Sequence, residues 1–255
     1  MNKINNLTSV IILIGGSGSR FSKLNEQPKQ LSKLNNDLIL MHIIKNFRKY
    51  GLNHFILPLG FKKKFFVKFL NSKKNIDKYK FNILTDKNKK DYDKDKINIT
   101  YFDAGKNTTK LSRVFKSLKY IMSDDLLVAY GDDLSNIRID QLLKKFIFFK
   151  KKKVLITIFK KNSQYGHVVV DKKGSVKQFV EKPAFQNPIN IGHYLFSANL
   201  LKKFKNKKSE LESHLIPLLV KKNLLYSYEH KGYFYSINDK KELIFAKKKL
   251  KKSKI

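Results

Sequence analysis

Apolar residues fall in short blocks along this chain, and the first complete block sets the class. Val10-Ile11-Ile12-Leu13-Ile14 is uninterrupted, and Gly15-Gly16-Ser17-Gly18-Ser19-Arg20 follows it at once. A strand without polar alternation suits a parallel sheet covered on both faces. Leu38 to Tyr50 instead carries Leu40, Ile43, Ile44 and Phe47 at helical spacing and stops at Gly51. His54–Leu59 reads as a second strand and Lys62–Leu70 as a second helix, the alternating opening of an α/β fold. Asn71–Lys96 is crowded with Lys, Asp and Asn, and predicts a solvated excursion with a short strand at Lys80–Leu84. Beyond it the pattern predicts strands at Ile97–Phe102, Asp125–Tyr130 and Val154–Phe159, with helices at Leu111–Met122 and Asp140–Lys150.

From Tyr165 the texture changes. His167–Val170 and Val176–Val180 flank Asp171-Lys172-Lys173-Gly174, a hairpin signal. A strand at Ile189–Phe196, helices at Ala198–Phe204 and Glu210–Lys221, strands at Leu225–His230 and Tyr233–Ile237, and a helix from Asp239 complete the reading. The second half therefore looks antiparallel, a substrate-binding portion added to a nucleotide-binding first half within one continuous sheet. No internal repeat is visible. The expectation is one domain over residues 1–255. It comprises a nucleotide-binding half at about 9–160, a sugar-phosphate half at about 161–245 and a basic tail at 246–255.

Composition narrows the class without changing it. Apolar residues make up 42% of 255, with 20 Phe and 12 Tyr, which is material for a sizeable core. There is no cysteine, so disulfide frameworks and thiolate metal sites are excluded. Ser9–Ile14 is too short to span a membrane and runs into glycines with no cleavage pattern, so a cytoplasmic protein with no membrane insertion is expected. The net charge of +35 would attract polyanions, but the lysines are spread along the whole chain. Local runs occur only at Lys150–Lys153 and in the tail, and no recognised nucleic-acid motif accompanies them. No specific nucleic-acid partner is expected; a homo-oligomer is left open.

The glycine loop is the candidate chemistry. Ligands of parallel α/β sheets bind beyond the carboxyl ends of the strands, where this loop must lie. Glycines let backbone N–H groups close on phosphate oxygens, and Arg20 adds a planar charged fork. A Walker loop would need Lys-Ser or Lys-Thr after the glycines, and a dinucleotide loop a small third residue where Phe21 stands. Pro28 marks a non-helical passage, so Lys29 sits on a loop able to fold back over this cradle. Asp125–Tyr130 ends in Gly131-Asp132-Asp133, which sets a carboxylate at a strand end beside a phosphate loop, where Mg²⁺ can bridge phosphate oxygens. Asp132 is the candidate ligand because Gly131 frees the backbone before it; Asp133 is left to point away or to cap. The six histidines show no metal spacing and read as surface or packed residues.

Taken in order, Gly15-Gly16-Ser17-Gly18-Ser19-Arg20, Pro28-Lys29, Tyr130-Gly131-Asp132 and Glu181-Lys182-Pro183 resemble the sugar-1-phosphate nucleotidyltransferases, from about Ser9 to about Leu243. Within that family the likeness is to the branch that joins CTP to glucose 1-phosphate. Met41-His42-Ile43-Ile44-Lys45, Tyr50–Ile56, Ile97–Gly105, Leu111-Ser112-Arg113-Val114 and Tyr130–Asn136 carry it. The resemblance implies a Rossmann-like nucleotidyltransferase fold, a mixed, mostly parallel sheet flanked by helices with a small antiparallel sugar-binding portion. It implies that Gly15, Gly16 and Gly18 receive the nucleotide, with Thr108 and Gly131 beside it. Arg20 would hold the β- and γ-phosphates, Lys29 the α-phosphate and Asp132 Mg²⁺. Tyr165 and Gly166 would border the sugar, Glu181 would accept from its hydroxyls, Lys182 would grip its phosphate, and Asn190 and Gly192 would shape the pocket.

Three departures stand out. Gln30 replaces a second proline, and the Gly105–Leu111 segment lacks the glycine pair of the base-recognition stretch. Near Tyr233-Phe234-Tyr235-Ser236-Ile237-Asn238-Asp239, the family's second metal-binding aspartate falls on Ser236 or Asn238. The expectation is an enzyme condensing an NTP with a sugar 1-phosphate to give an NDP-sugar and pyrophosphate. The alternatives are a non-catalytic sugar-nucleotide-binding relative and a basic nucleic-acid-binding protein.

Overall fold

All five residues of the first strand, β1 (Ser9–Leu13), are buried, and its four apolar residues divide between two cores. Val10 and Ile12 join the core on one face of the sheet, Ile11 and Leu13 the core on the other. Cover on both sides is the reason the strand shows no polar alternation. The computed structural model describes residues 9–16, 18, 20–21, 26–85, 87–150, 152–163, 165–183, 187–204 and 210–252.

A two-residue hairpin, β2 (Lys33–Leu34) with β3 (Asp37–Leu38), leads into α1 (Ile39–Arg48). Then come β4 (His54–Leu59), α2 (Lys63–Leu70), α3 (Lys73–Tyr79), β5 (Phe81–Ile83), β6 (Ile97–Asp103) and α4 (Lys110–Ser117). The middle of the chain supplies β7 (Asp125–Tyr130), β8 (Asp133–Ser135), α5 (Ile139–Phe148) and β9 (Val154–Phe159). After the hairpin β10 (His167–Val170) and β11 (Val176–Val180) come β12 (Ile189–Ser197), α6 (Ala198–Lys202) and α7 (Ile216–Lys221). The last elements are β13 (Leu225–His230), β14 (Phe234–Ser236) and α8 (Lys240–Lys252).

Eight strands form one sheet in the order β13-β9-β12-β7-β1-β4-β6-β5. The pairs β7–β1, β1–β4, β4–β6, β6–β5 and β9–β13 are parallel, while β12 runs antiparallel to β7 and β9. This is the mixed, mostly parallel α/β sheet that the sequence predicts. Helices α1, α2, α5 and α8 pack on the Val10 face; α4, α6 and α7 pack on the Ile11 face. At the amino ends of β1, β4 and β6 the buried ring of His54 lies between Ser9 Oγ at 3.1 Å and Thr100 Oγ1 at 3.0 Å. Burial, with Lys89 as a second cause, lowers the His54 pKa to about 4. Among the described residues no helix is long and apolar enough to cross a membrane.

Four expectations are corrected. The polar stretch after Asn71 is not an open excursion but contains α3, which ends in the buried Tyr79. Its hydroxyl donates 2.8 Å to Asp37 Oδ1, Lys45 pairs with the same carboxylate, and Tyr79 with Ile76 docks an otherwise polar helix on the core. The hairpin β10–β11 does not join the main sheet; it forms its own two-stranded sheet, exposed at every position. A valine run with no alternation gives no sign of which face should be covered. The second half is not uniformly antiparallel, since β13 runs parallel to β9. Helix α4 stops at Ser117, whose hydroxyl donates back to the Arg113 carbonyl at 2.8 Å, and a tight turn over Leu118–Tyr120 follows.

Candidate functional site

A cleft of about 640 Å³ opens beyond the carboxyl ends of β1 and β7. Gly15, Gly16, Gly18, Arg20, Lys29, Thr108, Asp132 and Asn190 all line it, and Gly131 sits beneath with its amide donating 3.1 Å to the Leu13 carbonyl. The glycine loop is held from below by Arg113. Arg113 is 5% exposed, and its guanidinium lies so close to Gly15 that a Cβ there would fall 1.1 Å from Nη1. Its Nε donates to the Thr108 carbonyl at 3.2 Å, Nη1 to Pro58 at 3.5 Å, and Nη2 to Gly105 at 3.3 Å and Lys106 at 3.4 Å. One side chain thus fastens the loop after β6 to the end of β4, directly under the loop after β1. The Thr109 hydroxyl, accepting from Ser112 N at 3.0 Å, caps α4 and fixes the direction from which Arg113 approaches.

Lys29 begins a single helical turn behind Pro28, and its ammonium is ion-paired with the Asp132 carboxylate. The Asp132 carbonyl accepts from Ile237 N at 2.9 Å, which ties the turn between β7 and β8 to the end of β14. Strand β8 pairs antiparallel with β14 and sets Ser236 opposite Asp133. Asp133 therefore does not point away as expected: it is 6% exposed and lines the cleft beside Asp132. Burial first, then the neighbouring Asp132 charge, raises its pKa to about 7, against a hydrogen bond from the Ser236 hydroxyl. Gly192 makes room for it. With φ +73° the glycine adopts a conformation other residues avoid, and a Cβ there would lie 2.7 Å from Asp133 Oδ2.

The opposite wall is a polar network. The Tyr130 hydroxyl donates to Glu212, which also pairs with Lys110, and the Lys110 ammonium sits 4.6 Å from the centre of the Tyr130 ring. Tyr130 and Tyr194 hydroxyls are 3.0 Å apart, and Asn190 Nδ2 donates to Tyr194 at 2.5 Å. Burial, followed by Tyr194 and Glu212, raises the Tyr130 pKa, so its proton stays in the network. Lys62, in the left-handed region at φ +59°, is buried in the cleft wall, and that burial lowers its pKa although Glu26 opposes the shift. With Arg20, Lys29, Lys110, Arg113 and Lys161, it makes six basic side chains lining the cleft, against the carboxylates of Asp132, Asp133 and Glu242.

The remaining predicted residues stand apart. Tyr165, Gly166, Glu181 and Lys182 are at the foot of the hairpin and do not line the cleft; Tyr165 is 77% exposed. Lys182 Nζ lies 3.3 Å from Glu181 Oε1, and Gly166 gives way to the Phe179 ring. Ser163 N donates 2.7 Å to the Pro183 carbonyl and closes the hairpin's base. Ser17 and Ser19 lie outside the described residues. Sequence reasoning missed Lys62, Lys110, Lys161 and Glu212, and gave Arg113 no role. In a chain with 55 Lys and Arg, a cleft lysine looks like any other. The second acid of Gly131-Asp132-Asp133 was the one available signal for Asp133.

Residues 9–252 match the family model described as Nucleotidyl transferase. The chain is 30% identical over 249 residues to a probable glucose-1-phosphate cytidylyltransferase of Bacillus subtilis, covering 93% of this chain and 94% of the relative. It is 24% identical over 246 residues to the glucose-1-phosphate cytidylyltransferase of Salmonella typhimurium, covering 92% and 93%. Its fold is similar, with a TM-score of 0.70 at 16% identity, to a UDP-glucose pyrophosphorylase crystallised with UDP-glucose, covering 97% of this chain and 100% of that one.

Proposed function

The chain belongs to the nucleotidyl transferase family and is a sugar-1-phosphate nucleotidyltransferase, and we propose that it joins CTP to glucose 1-phosphate, giving CDP-glucose and pyrophosphate. The observation that carries this reading is the cleft: six basic side chains around three carboxylates, beside a glycine loop at the end of a mostly parallel sheet. Two polyanions can be brought together only where cations cancel their repulsion. Likeness to the Bacillus and Salmonella cytidylyltransferases supports the choice of CTP and glucose 1-phosphate.

In this reading the backbone of Gly15, Gly16 and Gly18 receives base, ribose and phosphates, with Thr108 and Gly131 alongside. Arg20 holds the β- and γ-phosphates. Lys29 neutralises the α-phosphate, exchanging its Asp132 partner for a phosphate oxygen. Asn190 and Gly192 shape the sugar pocket; Tyr165, Gly166, Glu181 and Lys182, which the family resemblance assigns to the sugar and its phosphate, stand outside the cleft at the foot of the hairpin. Lys161, already in the cleft, is a further cation for that phosphate. Asp132, Asp133 and Ser236 offer oxygen donors, and a magnesium ion needs one or two carboxylates plus substrate phosphates. Asp132 would hold Mg²⁺, which would supply positive charge against the substrate phosphates.

A phosphate oxygen of the sugar 1-phosphate attacks the α-phosphorus in line. The bond from that phosphorus to its bridging oxygen breaks, and the electron pair leaves with pyrophosphate. The attacking oxygen is ionised at neutral pH, so no general base is required; the side chains position and neutralise. Pyrophosphate release measured for four NTPs against a panel of sugar 1-phosphates tests the proposal. The expected maximum is CTP with glucose 1-phosphate. A maximum with another pair would overturn the substrate choice. Binding of CDP-glucose with no pyrophosphate from any pair would instead identify a non-catalytic relative.

A further inference from the structure

Asp133 is a buried carboxylate whose nearby cations are spoken for. Among the described residues no lysine or arginine nitrogen pairs with it: Lys29 is taken by Asp132 and Lys110 by Glu212. Buried charges in proteins are either paired or bound to metal. The surroundings hold Asp133 in one place. It opens β8, Ser236 stands opposite in the paired strand and hydrogen-bonds its carboxylate, and the bare backbone of Gly192 walls it from behind. The same turn brings Asp132 to the cleft, so two successive residues face one ligand space instead of opposite sides of a strand.

We propose that Asp133 is a second carboxylate ligand of the divalent cation held at Asp132, oriented by the Ser236 hydroxyl. The proposal rests on the reading above that a divalent cation binds at Asp132. Ser236 carries no charge of its own, so the anionic donor comes from the β8 side of the strand pair. Lys29 and Lys110 offset the burial of Asp133 and the repulsion from Asp132 only in part, and a cation held by both carboxylates would remove more of that repulsion.

Mn²⁺ binding to the full chain at pH 8 is the test, followed by the electron paramagnetic resonance signal of free Mn²⁺ and by melting temperature with and without Mn²⁺. Wild type should bind Mn²⁺ and melt higher with it, and Asp132→Asn should abolish both effects. Asp133→Asn should weaken Mn²⁺ binding by about tenfold or more, by analogy with ligand-shell changes in other metal sites. Without metal, Asp133→Asn should melt no lower than wild type, because an unpaired charge has been removed; a purely structural residue would lower both melting temperatures. Moving the carboxylate across the strand pair, with Asp133→Ser combined with Ser236→Asp, should restore binding lost in Asp133→Ser alone. Retained Mn²⁺ affinity in Asp133→Asn beside its loss in Asp132→Asn would overturn this proposal and leave the Asp132 assignment standing. No effect of either substitution, or no Mn²⁺ bound by wild type, would overturn both.

Discussion

Arg113 shows how much of the site one side chain can organise. Its donors satisfy carbonyls from Pro58, Gly105, Lys106 and Thr108, and its plane fills the space left by Gly15 and Gly60. Arg113→Ala leaves those carbonyls without a donor and opens a cavity under the glycine loop. A loss of about 2–4 kcal/mol is expected in denaturant melts, together with a raised KM for the nucleotide. Arg113→Lys keeps the charge but not the fork and should recover only part of the stability; a melt unchanged by Arg113→Ala would contradict the role. Gly15, Gly18, Arg20, Lys29 and Asp132 were legible because glycine, proline and a strand-end acid each leave a mark in the sequence. Arg113 and Lys62 were not, because what distinguishes them is burial, and burial is settled by elements far away in the chain.

At the scale of elements, helices and strands with one strong pattern were found, and a helix held by only Tyr79 and Ile76 was not. Helix α3 depends on Tyr79, whose hydroxyl is one of the three groups satisfying Asp37. Burial pushes the Asp37 pKa up, but Lys45, the Leu38 amide and Tyr79 outweigh it and hold the carboxyl below its ordinary range. Tyr79→Phe should cost about 1.5–3 kcal/mol, the usual cost of a lost hydrogen bond to a charged group, read as a lowered midpoint in urea. The junction of β1, β4 and β6 carries part of the pH dependence, alongside the buried His193, whose pKa burial likewise lowers to about 4. His54 has its pKa depressed to about 4 from 6.5, so the unfolded chain takes up its proton first as pH falls. Its contribution is full above pH 6.5 and is lost between about 6.5 and 4, with a limiting slope of about 1.4 kcal/mol per pH unit. His54→Gln should flatten the dependence of melting temperature on pH across that window; an unchanged slope would show that His54 does not carry it. The hairpin was legible from Asp171 to Gly174, but its separation from the main sheet was not, since valines on both faces specify no cover.

For the whole molecule, the doubly covered, mostly parallel sheet follows from the apolar run of β1. Charge is the harder quantity to read. A net +35 spread along 255 residues says little about partners, yet six of its basic side chains converge on one cleft. Both proposed substrates are anions, so kcat/KM should fall several-fold between about 50 and 500 mM salt, mainly through KM, as screening shortens the reach of the field. A flat salt profile would mean that local contacts alone capture the substrates.

The central claim is that the cleft around Asp132 joins a nucleotide to a sugar phosphate. ³¹P NMR of CTP, glucose 1-phosphate and Mg²⁺ with the protein tests it most directly. Wild type should convert both substrate signals into the paired resonances of a sugar-linked diphosphate plus pyrophosphate, and Asp132→Asn should do so at least about a hundredfold more slowly. A wild-type protein that leaves both substrates intact, or an Asp132→Asn variant as fast as wild type, would contradict it.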